Sequence, residues 1–493
     1  MANAIEQRGF FWWVGDSSRP SHSPQTAVPG LLTVTPEGRT NLEVDGALTS
    51  DDEHPDWAKP RLFRPELSIV GLLDTAGDYV RLEGVERVDI PSTGVSPRRQ
   101  SFAAETCIKR NHTFPADYDS GNYAEVRIAL KGLEEWLQLD SLRAERDYEV
   151  PDGERELVSY TNHRFEFSID DGMVSIESST SGGSFFGLFG KHARREICFE
   201  QTFTIVYRPT FPSSLASLRD VFTQIEQLLA LFLGSYFRLN RPYFVRKEEP
   251  DDQWDTVFTY GDAPSTEDLN RYFVLIPFTE IQAQFGPLLQ TWLHKSEAFG
   301  SGFYLYIASL RNQQTYAEDR FFALVSGLEA LHRKSYEGDS SQSSQDDRKR
   351  AERLLALVPT DDPDKKWLQR KLAHAHEPSL EKRILECLRE LPLRFRKSEL
   401  EKFATRCADR RNDMSHHGGP KDGTDYETFH TEITHLVEAL SYLFHLLILY
   451  KIGVSEKAVL NAATKSWVAE RHIKRSFEAV GLNVVNELSS KAP

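Results

Sequence analysis

Residues 400–417 read LEKFATRCADRRNDMSHH; Gly418-Gly419-Pro420 follow, and from residue 427 the chain continues ETFHTEITHLVEALSYLFHLLILY. The first segment has a helical pattern that Gly and Pro must end, because glycine accepts a left-handed cap and proline cannot extend the hydrogen-bond ladder. The run 411–416 therefore occupies the last turns of that helix. The second segment sets Phe429, Ile433, Leu436, Val437, Leu440, Leu443 and Leu447 in one helical register. A helix, a stop and a long apolar helix predict a helical C-terminal domain.

Working outward, residues 316–332 place Phe321, Leu324, Val325, Leu328 and Leu331 on one helix face. Helical patterns also cover 354–357, 367–374 and 380–388, and the tail from 454 reads as one or two more helices. Residues 338–347 (GDSSQSSQDD) contain no apolar residue and read as a loop. The first 210 residues have the other period. Leu31 to Val34 on one side and Leu42 and Val44 on the other flank the turn Pro36-Glu37-Gly38 with alternating polarity, and Phe165, Phe167 and Ile169 alternate up to Asp170-Asp171-Gly172, after which Val174 and Ile176 resume. Further strands are expected at 79–83, 123–130, 197–207, 243–246, 256–260 and 272–278, with a helix at 212–235 carried by Leu218, Val221, Phe222, Ile225, Leu228, Leu229 and Phe232. The expected fold class is α+β: a β-rich region over 1–278 (an antiparallel sandwich or barrel with a helical insert), an all-α bundle over 279–460, and a helical tail over 461–493. There is no internal repeat.

The chain has 493 residues, enough for two to four domains, and 59 Lys+Arg against 74 Asp+Glu give a net charge of −15. That balance argues against coating nucleic acid or an anionic membrane by bulk charge. Cys107, Cys198, Cys387 and Cys407 are too few and too scattered for a disulfide framework or a paired-cysteine zinc site. A reducing, cytoplasmic location is the expectation. No secretion signal is evident at the start, and the apolar run 442–450 is too short to span a bilayer, so no membrane partner is expected.

The local charge differs from the average. Residues 365–411 contain 14 Lys/Arg and 7 Asp/Glu, leaving −22 for the rest of the chain. This basic stretch ends in Arg410, Arg411, His416 and His417. An arginine fork matches phosphate oxygens and stays charged, and a histidine moves protons near neutrality. RNA brings its own nucleophile, the 2′-hydroxyl, so the chemistry such a cluster suits is metal-independent phosphodiester cleavage without a cofactor. On an ideal helix Arg411 and His416 stand about 140° apart, whereas Asn412 and His416 share a face. Arg410 and His417 also share a face and are rivals. Either the helix end is irregular or a second copy completes the site across a two-fold axis.

The order of segments narrows the spacing motif. DRFFALVSGLEALHRKSY with Glu329, a polar loop, RKLAHAHEPSLEKRILECL, RNDMSHHGG and a long apolar helix together resemble the Apea-like group of HEPN ribonuclease domains. The N-terminal FFWWVGD, VPGLLTV and following DG look like the region that accompanies that domain in the ApeA abortive-infection proteins of bacteria. The resemblance implies a homodimeric endoribonuclease of antiphage defence that cleaves host RNA, with tRNA as the candidate class. It also implies Arg411 and His416 as the catalytic pair and Asn412 as the polar residue beside them. An N-terminal region that restrains the nuclease until a phage-derived trigger arrives is the regulatory expectation; a non-catalytic RNA- or nucleotide-binding sensor is the alternative. Glu329 either pairs with a basic residue of the motif or sits at the edge of the core. The loop FFGLFGKH at 185–192 lacks the first glycine and final Ser/Thr of a phosphate loop, and His374 and His376 point apart on a helix and lack further ligands, so neither carries chemistry. His430, His435 and His445 read as packing or hydrogen-bonded residues. The cluster Phe10 to Trp13 reads as core or as a cap on a cleft.

Overall fold

The computed structural model describes residues 4–14, 27–46, 48, 64–74, 77–88, 99–114, 118, 122–139, 141–147, 155–182, 199–247, 253–259, 261, 269–295, 299–311, 316–335, 342–359, 362–373, 377–417, 419–420, 423 and 425–485. The loop 185–192, residues 374–376 and Cys198 lie outside the described residues. The chain divides into two compact units, one of residues 1–226 and 237–269, the other of 227–236 and 270–493.

The first unit is built on strands β1 (Ile5–Trp13), β2 (Val28–Val34), β3 (Thr40–Val44), β4 (Arg64–Leu73), β5 (Tyr79–Arg87) and β6 (Gln100–Arg110). Their antiparallel order, β6-β3-β2-β1-β4-β5 and back to β6, closes a six-stranded barrel. Alternation fills it: Phe11, Leu32, Leu42, Val44, Ile69, Val80, Leu82 and Phe102 point inward while Glu43 and Asn41 point out. The β2–β3 turn needs Gly38, whose φ is 85° and where a Cβ would meet the Thr259 carbonyl. The aromatic cluster is split by the pleat of β1. Phe11 is fully buried and Trp13 meets Phe102 edge-on at 5.7 Å, while Phe10 faces outward, so these rings are barrel wall rather than a cleft cap.

Strand β6 serves two partners on one edge. Gln100–Ala104 pair with β3, and Thr106–Lys109 pair with β14 (Asp255–Thr259). From there an open antiparallel arm runs β14, β13 (Tyr243–Arg246), β7 (Tyr123–Ala129), β12 (Phe199–Pro209), β11 (Gly172–Gly182) and β10 (Arg164–Ile169). The fully buried Arg110–Asp255 pair, 2.9 Å apart, and the Tyr123 hydroxyl donating to Asp255 tie the arm to the barrel. A short helix α1 (Glu134–Leu137) and the hairpin β8 (Leu142–Asp147) and β9 (Arg155–Tyr160) complete the unit's β part. In the β10–β11 hairpin the turn is Asp170-Asp171 alone. Gly172 already pairs in the strand, where a Cβ would strike the Arg208 carbonyl.

Helix α2 (Leu215–Leu233) fills the expected insert, its residues to 226 belonging to the first unit and the rest to the second. The second unit continues with α3 (Phe278–Ile281), α4 (Phe285–Lys295), α5 (Gly300–Arg311), α6 (Ala317–Ser335), α7 (Gln342–Ala356), α8 (Lys365–Leu372), α9 (Leu380–Arg389), α10 (Lys397–His417), α11 (Tyr426–Lys451), α12 (Glu456–Thr464) and α13 (Lys474–Ala479). Helix α6 packs on α5, α9, α10 and α11, which form the bundle core. Two expectations change. Residues 272–278 are no strand: they start as a 3₁₀ turn (Arg271–Phe273) and pass into Pro277 at the edge of α3, and the Ile276 amide bonds the Phe232 carbonyl of α2 instead of a ladder. The polar stretch taken for a loop is helical from Gln342, because past Gly338 it holds neither Gly nor Pro and leads into good helix formers.

Helix α11 is long and apolar enough, by length and composition, to cross a membrane, but 67% of its apolar window is buried inside the fold. Burial, rather than the shortness of the run 442–450, makes it a core helix. At its centre His445 is fully enclosed. Its Nε2 donates to the Leu231 carbonyl and its Nδ1 accepts from the Tyr306 hydroxyl, joining α2, α5 and α11. Burial pushes its pKa down to about 4.

Candidate functional site

Helix α10 runs unbroken from Lys397 to His417, so the irregular helix end is excluded up to the last residue of the motif. Leu400, Phe403, Ala404, Cys407 and Ala408 form its buried stripe. A further step of three or four residues brings Arg411 onto the continuation of that stripe. The core face thus carries the guanidinium inward, toward α6, where Nη2 lies 4.0 Å from Glu329 Oε2 and the guanidinium carbon stands 5.7 Å from the Phe322 ring. Its buried Nε has no hydrogen-bond partner among the described residues. Arg411 is therefore half-buried, loosely paired and left with donors to offer an incoming oxyanion.

Arg410, one residue earlier, is held quite differently. Its Nε donates to Glu432 of α11 at 2.8 Å and its Nη1 to Asp413 at 2.7 Å, with the Phe429 ring 5.7 Å below. Glu432 also accepts from Arg406 at 2.9 Å, so one carboxylate fastens two arginines of α10 to α11. Those contacts take up Nε and one Nη of Arg410 and tie it to α11. A 100° step of the helix separates these neighbours into two environments.

His416 and Asn412 occupy the exposed face, and no hydrogen bond joins them among the described residues. The side chain of His417 lies outside the description. Arg411 and His416 thus point to different sides of one continuous helix, and a single copy does not bring them together. Glu329 is shared: besides Arg411 it accepts from Arg333 at 3.0 Å, Arg333 reaches Glu377 at 2.9 Å, and Glu377 in turn meets the buried Arg383 at 2.9 Å. Of the two readings of Glu329, the structure places it in this relay of charges. Burial lowers the pKa of Arg383, against the pull of its carboxylate neighbours. The histidine of α6, His332, is buried and bonded to Glu386 at 2.8 Å.

Sequence reasoning did not find Glu432, Phe322, Arg333 or Glu377. Asp413 was within reach, since an Arg and an Asp three apart on a helix are neighbours. The basic stretch is also less bare than its count suggests: Arg383, Arg389, Arg396, Lys397, Arg406 and Arg410 all lie within 4 Å of a carboxylate. The exposed cations Lys366, Arg370 and Lys371 sit on α8, which buries no residue. Among the described residues no three His, Cys, Asp or Glu gather into a metal-binding group.

The family comparisons agree with this layout. Residues 322–458, which hold most of α6, the motif and α11, match the Apea-like HEPN family, and residues 7–292 match the ApeA N-terminal domain 1. No curated protein and no solved structure matches the chain. The two domains fit a family of antiphage-defence nucleases, and HEPN domains are generally ribonuclease-like. With a closed β-barrel and its arm under the N-terminal match and the motif-bearing helical bundle under the HEPN match, the chain belongs to the ApeA-type proteins, an ApeA N-terminal domain 1 followed by an Apea-like HEPN domain.

Proposed function

We propose that the chain is a metal-independent endoribonuclease of antiphage defence, in which Arg411 and His416 are catalytic and Asn412 is a positioning residue. The observation that carries the reading is the contrast between adjacent arginines. Arg410 is held by two short hydrogen bonds to Glu432 and Asp413, while Arg411 keeps an orphan donor beside a loose 4.0 Å ion pair. In the proposed reaction a histidine imidazole takes the proton from the RNA 2′-hydroxyl, and the 2′-oxygen bonds to phosphorus. The bond from phosphorus to the 5′-oxygen breaks, and the leaving oxygen takes a proton. Arg411 stabilises the negative charge that gathers on the non-bridging oxygens. Because Arg411 and His416 diverge on one straight helix, the active unit is a homodimer in which each motif is completed by the other copy.

Host RNA in the cytoplasm, with tRNA as the candidate class, is the proposed substrate. The N-terminal barrel region restrains the nuclease until a phage-derived trigger engages it. The test compares RNA from cells expressing the wild type, Arg411→Ala and His416→Ala. New fragments ending in 2′,3′-cyclic phosphate are expected from the wild type alone, at least about a hundredfold above either variant, and unaffected by chelators. Cleavage that survives both substitutions, or that chelation abolishes, refutes the mechanism. Tight RNA binding without turnover by the wild-type dimer assigns the chain to the sensor alternative.

A further inference from the structure

Apart from the motif, the second unit carries a concentrated aromatic and cationic patch. Trp467 begins the short helix after α12, where the Ser466 hydroxyl accepts the Ala469 amide at 2.9 Å and fixes its place. Phe273 meets its ring edge-on at 4.8 Å and Tyr272 lies at 6.4 Å, both on the 3₁₀ turn Arg271–Phe273. His472 is 5.6 Å from the same ring and the Arg471 guanidinium carbon 5.7 Å. Tyr272 is 60% exposed and Phe273 46%, so these two rings are displayed to solvent on top of the half-buried Trp467. The stretch 465–475 holds Lys465, Arg471, Lys474 and Arg475 against Glu470, in a chain whose net charge is −15, and of these four Lys474 is paired with Glu478 at 3.9 Å. Among the described residues Arg471 has no ion pair. Between Trp467 and α13 the backbone makes a single π-helical turn (Ala469–Ile473), a rare form that often marks functional positions.

We infer that this patch is a stacking platform for single-stranded RNA, a second contact that holds substrate for the nuclease proposed above. Exposed aromatic faces accept any base, and arginine and lysine beside them take the backbone phosphates. The exposed Arg471, beside the rings and outside any ion pair among the described residues, favours a polyanion over an apolar protein surface, which would leave its charge without a counterpart. The inference rests on the ribonuclease reading, and its test separates the two.

The measurement uses the full chain with His416→Ala, which silences cleavage, and a fluorescein-labelled single-stranded RNA oligonucleotide. Trp467→Ala is expected to weaken binding about tenfold or more, Arg471→Glu comparably, and Trp467→Phe only slightly, because the ring face is kept. Ultraviolet cross-links are expected at Trp467 or Tyr272. Unchanged affinity in the folded Arg471→Glu and Trp467→Ala proteins overturns the inference, as does unchanged affinity accompanied by loss of self-association, which gives the patch to a second copy. Wild-type cleavage with unchanged binding in the variants sinks the platform alone. Trp467-dependent binding by a wild type that cuts nothing keeps the platform and sinks the nuclease.

Discussion

His445 makes the helical unit sensitive to mild acid, and the size of the effect follows from its surroundings. The imidazole accepts from the Tyr306 hydroxyl through Nδ1 and donates to Leu231 through Nε2, so the fold holds the neutral ring. Protonation would put a second N–H against the Tyr306 oxygen, inside an apolar helix interface. Burial accordingly lowers the folded-state pKa to about 4, against about 6.5 in the unfolded chain. The contribution is complete above pH 6.5. As pH falls through that value the unfolded chain takes a proton that the fold refuses, and stability declines by about 1.4 kcal/mol per pH unit. The whole loss approaches about 3 kcal/mol near pH 4, and about 2 kcal/mol of it falls between pH 7 and 5, where few carboxylates titrate. His332, whose pKa is lowered mainly by burial and partly restored by Glu386, adds in the same direction. The assay is urea unfolding followed by helical circular dichroism at pH 7 and 5, on the wild type and His445→Gln. The variant should lose about 2 kcal/mol of the wild type's pH dependence while starting from a lower stability at pH 7. Equal pH dependence in the two proteins refutes the assignment of a buried neutral histidine.

Removing Arg410 should act on stability rather than chemistry: Arg410→Ala loses two short carboxylate contacts and is expected to cost about 1–3 kcal/mol, read as a lower Tm than that of Arg411→Ala. A reversed order, with Arg410→Ala stable and inactive, would exchange the roles of the two residues. Cys107 and Cys387 are buried with thiols pushed up to about 12 by desolvation, and Cys407 is raised in the same way. All three should resist thiol reagents at pH 8 in the native protein and react on unfolding; rapid native labelling of any of them, mapped by mass spectrometry, contradicts the packing.

Much of this layout was legible in periodicity. Alternation found β5, β7 and the β10–β11 hairpin, and the 3.6-residue stripe found α2, α6 and α11, because each pattern is a local consequence of one buried face. It failed where pairing or context decides. Strands β1, β4 and β6 went unassigned, and β6 meets β3 and β14 on one edge and β5 on the other, which no local pattern announces. Residues 272–278 have a strand's composition but, among the described residues, no neighbouring strand to pair with. The polar start of α7 has a loop's composition but no residue that breaks a helix.

The sequence by itself determined the two-part order, the helical motif at the end of α10 and the chemistry that Arg, His and RNA can share. It also determined that Arg411 and His416 diverge on a helix, since five residues always make about 140°. What it left open was how Arg410 and Arg411 are each held: the motif's spacing picks Arg411, but adjacent arginines have the same charge and reach, so their order does not assign each its partners. Tertiary packing did so by turning one toward Glu432 of α11 and the other toward Glu329 and Phe322 of α6. The physical reason is that an arginine's availability depends on the carboxylates brought to it from distant helices, whereas its direction depends only on the helix it stands on.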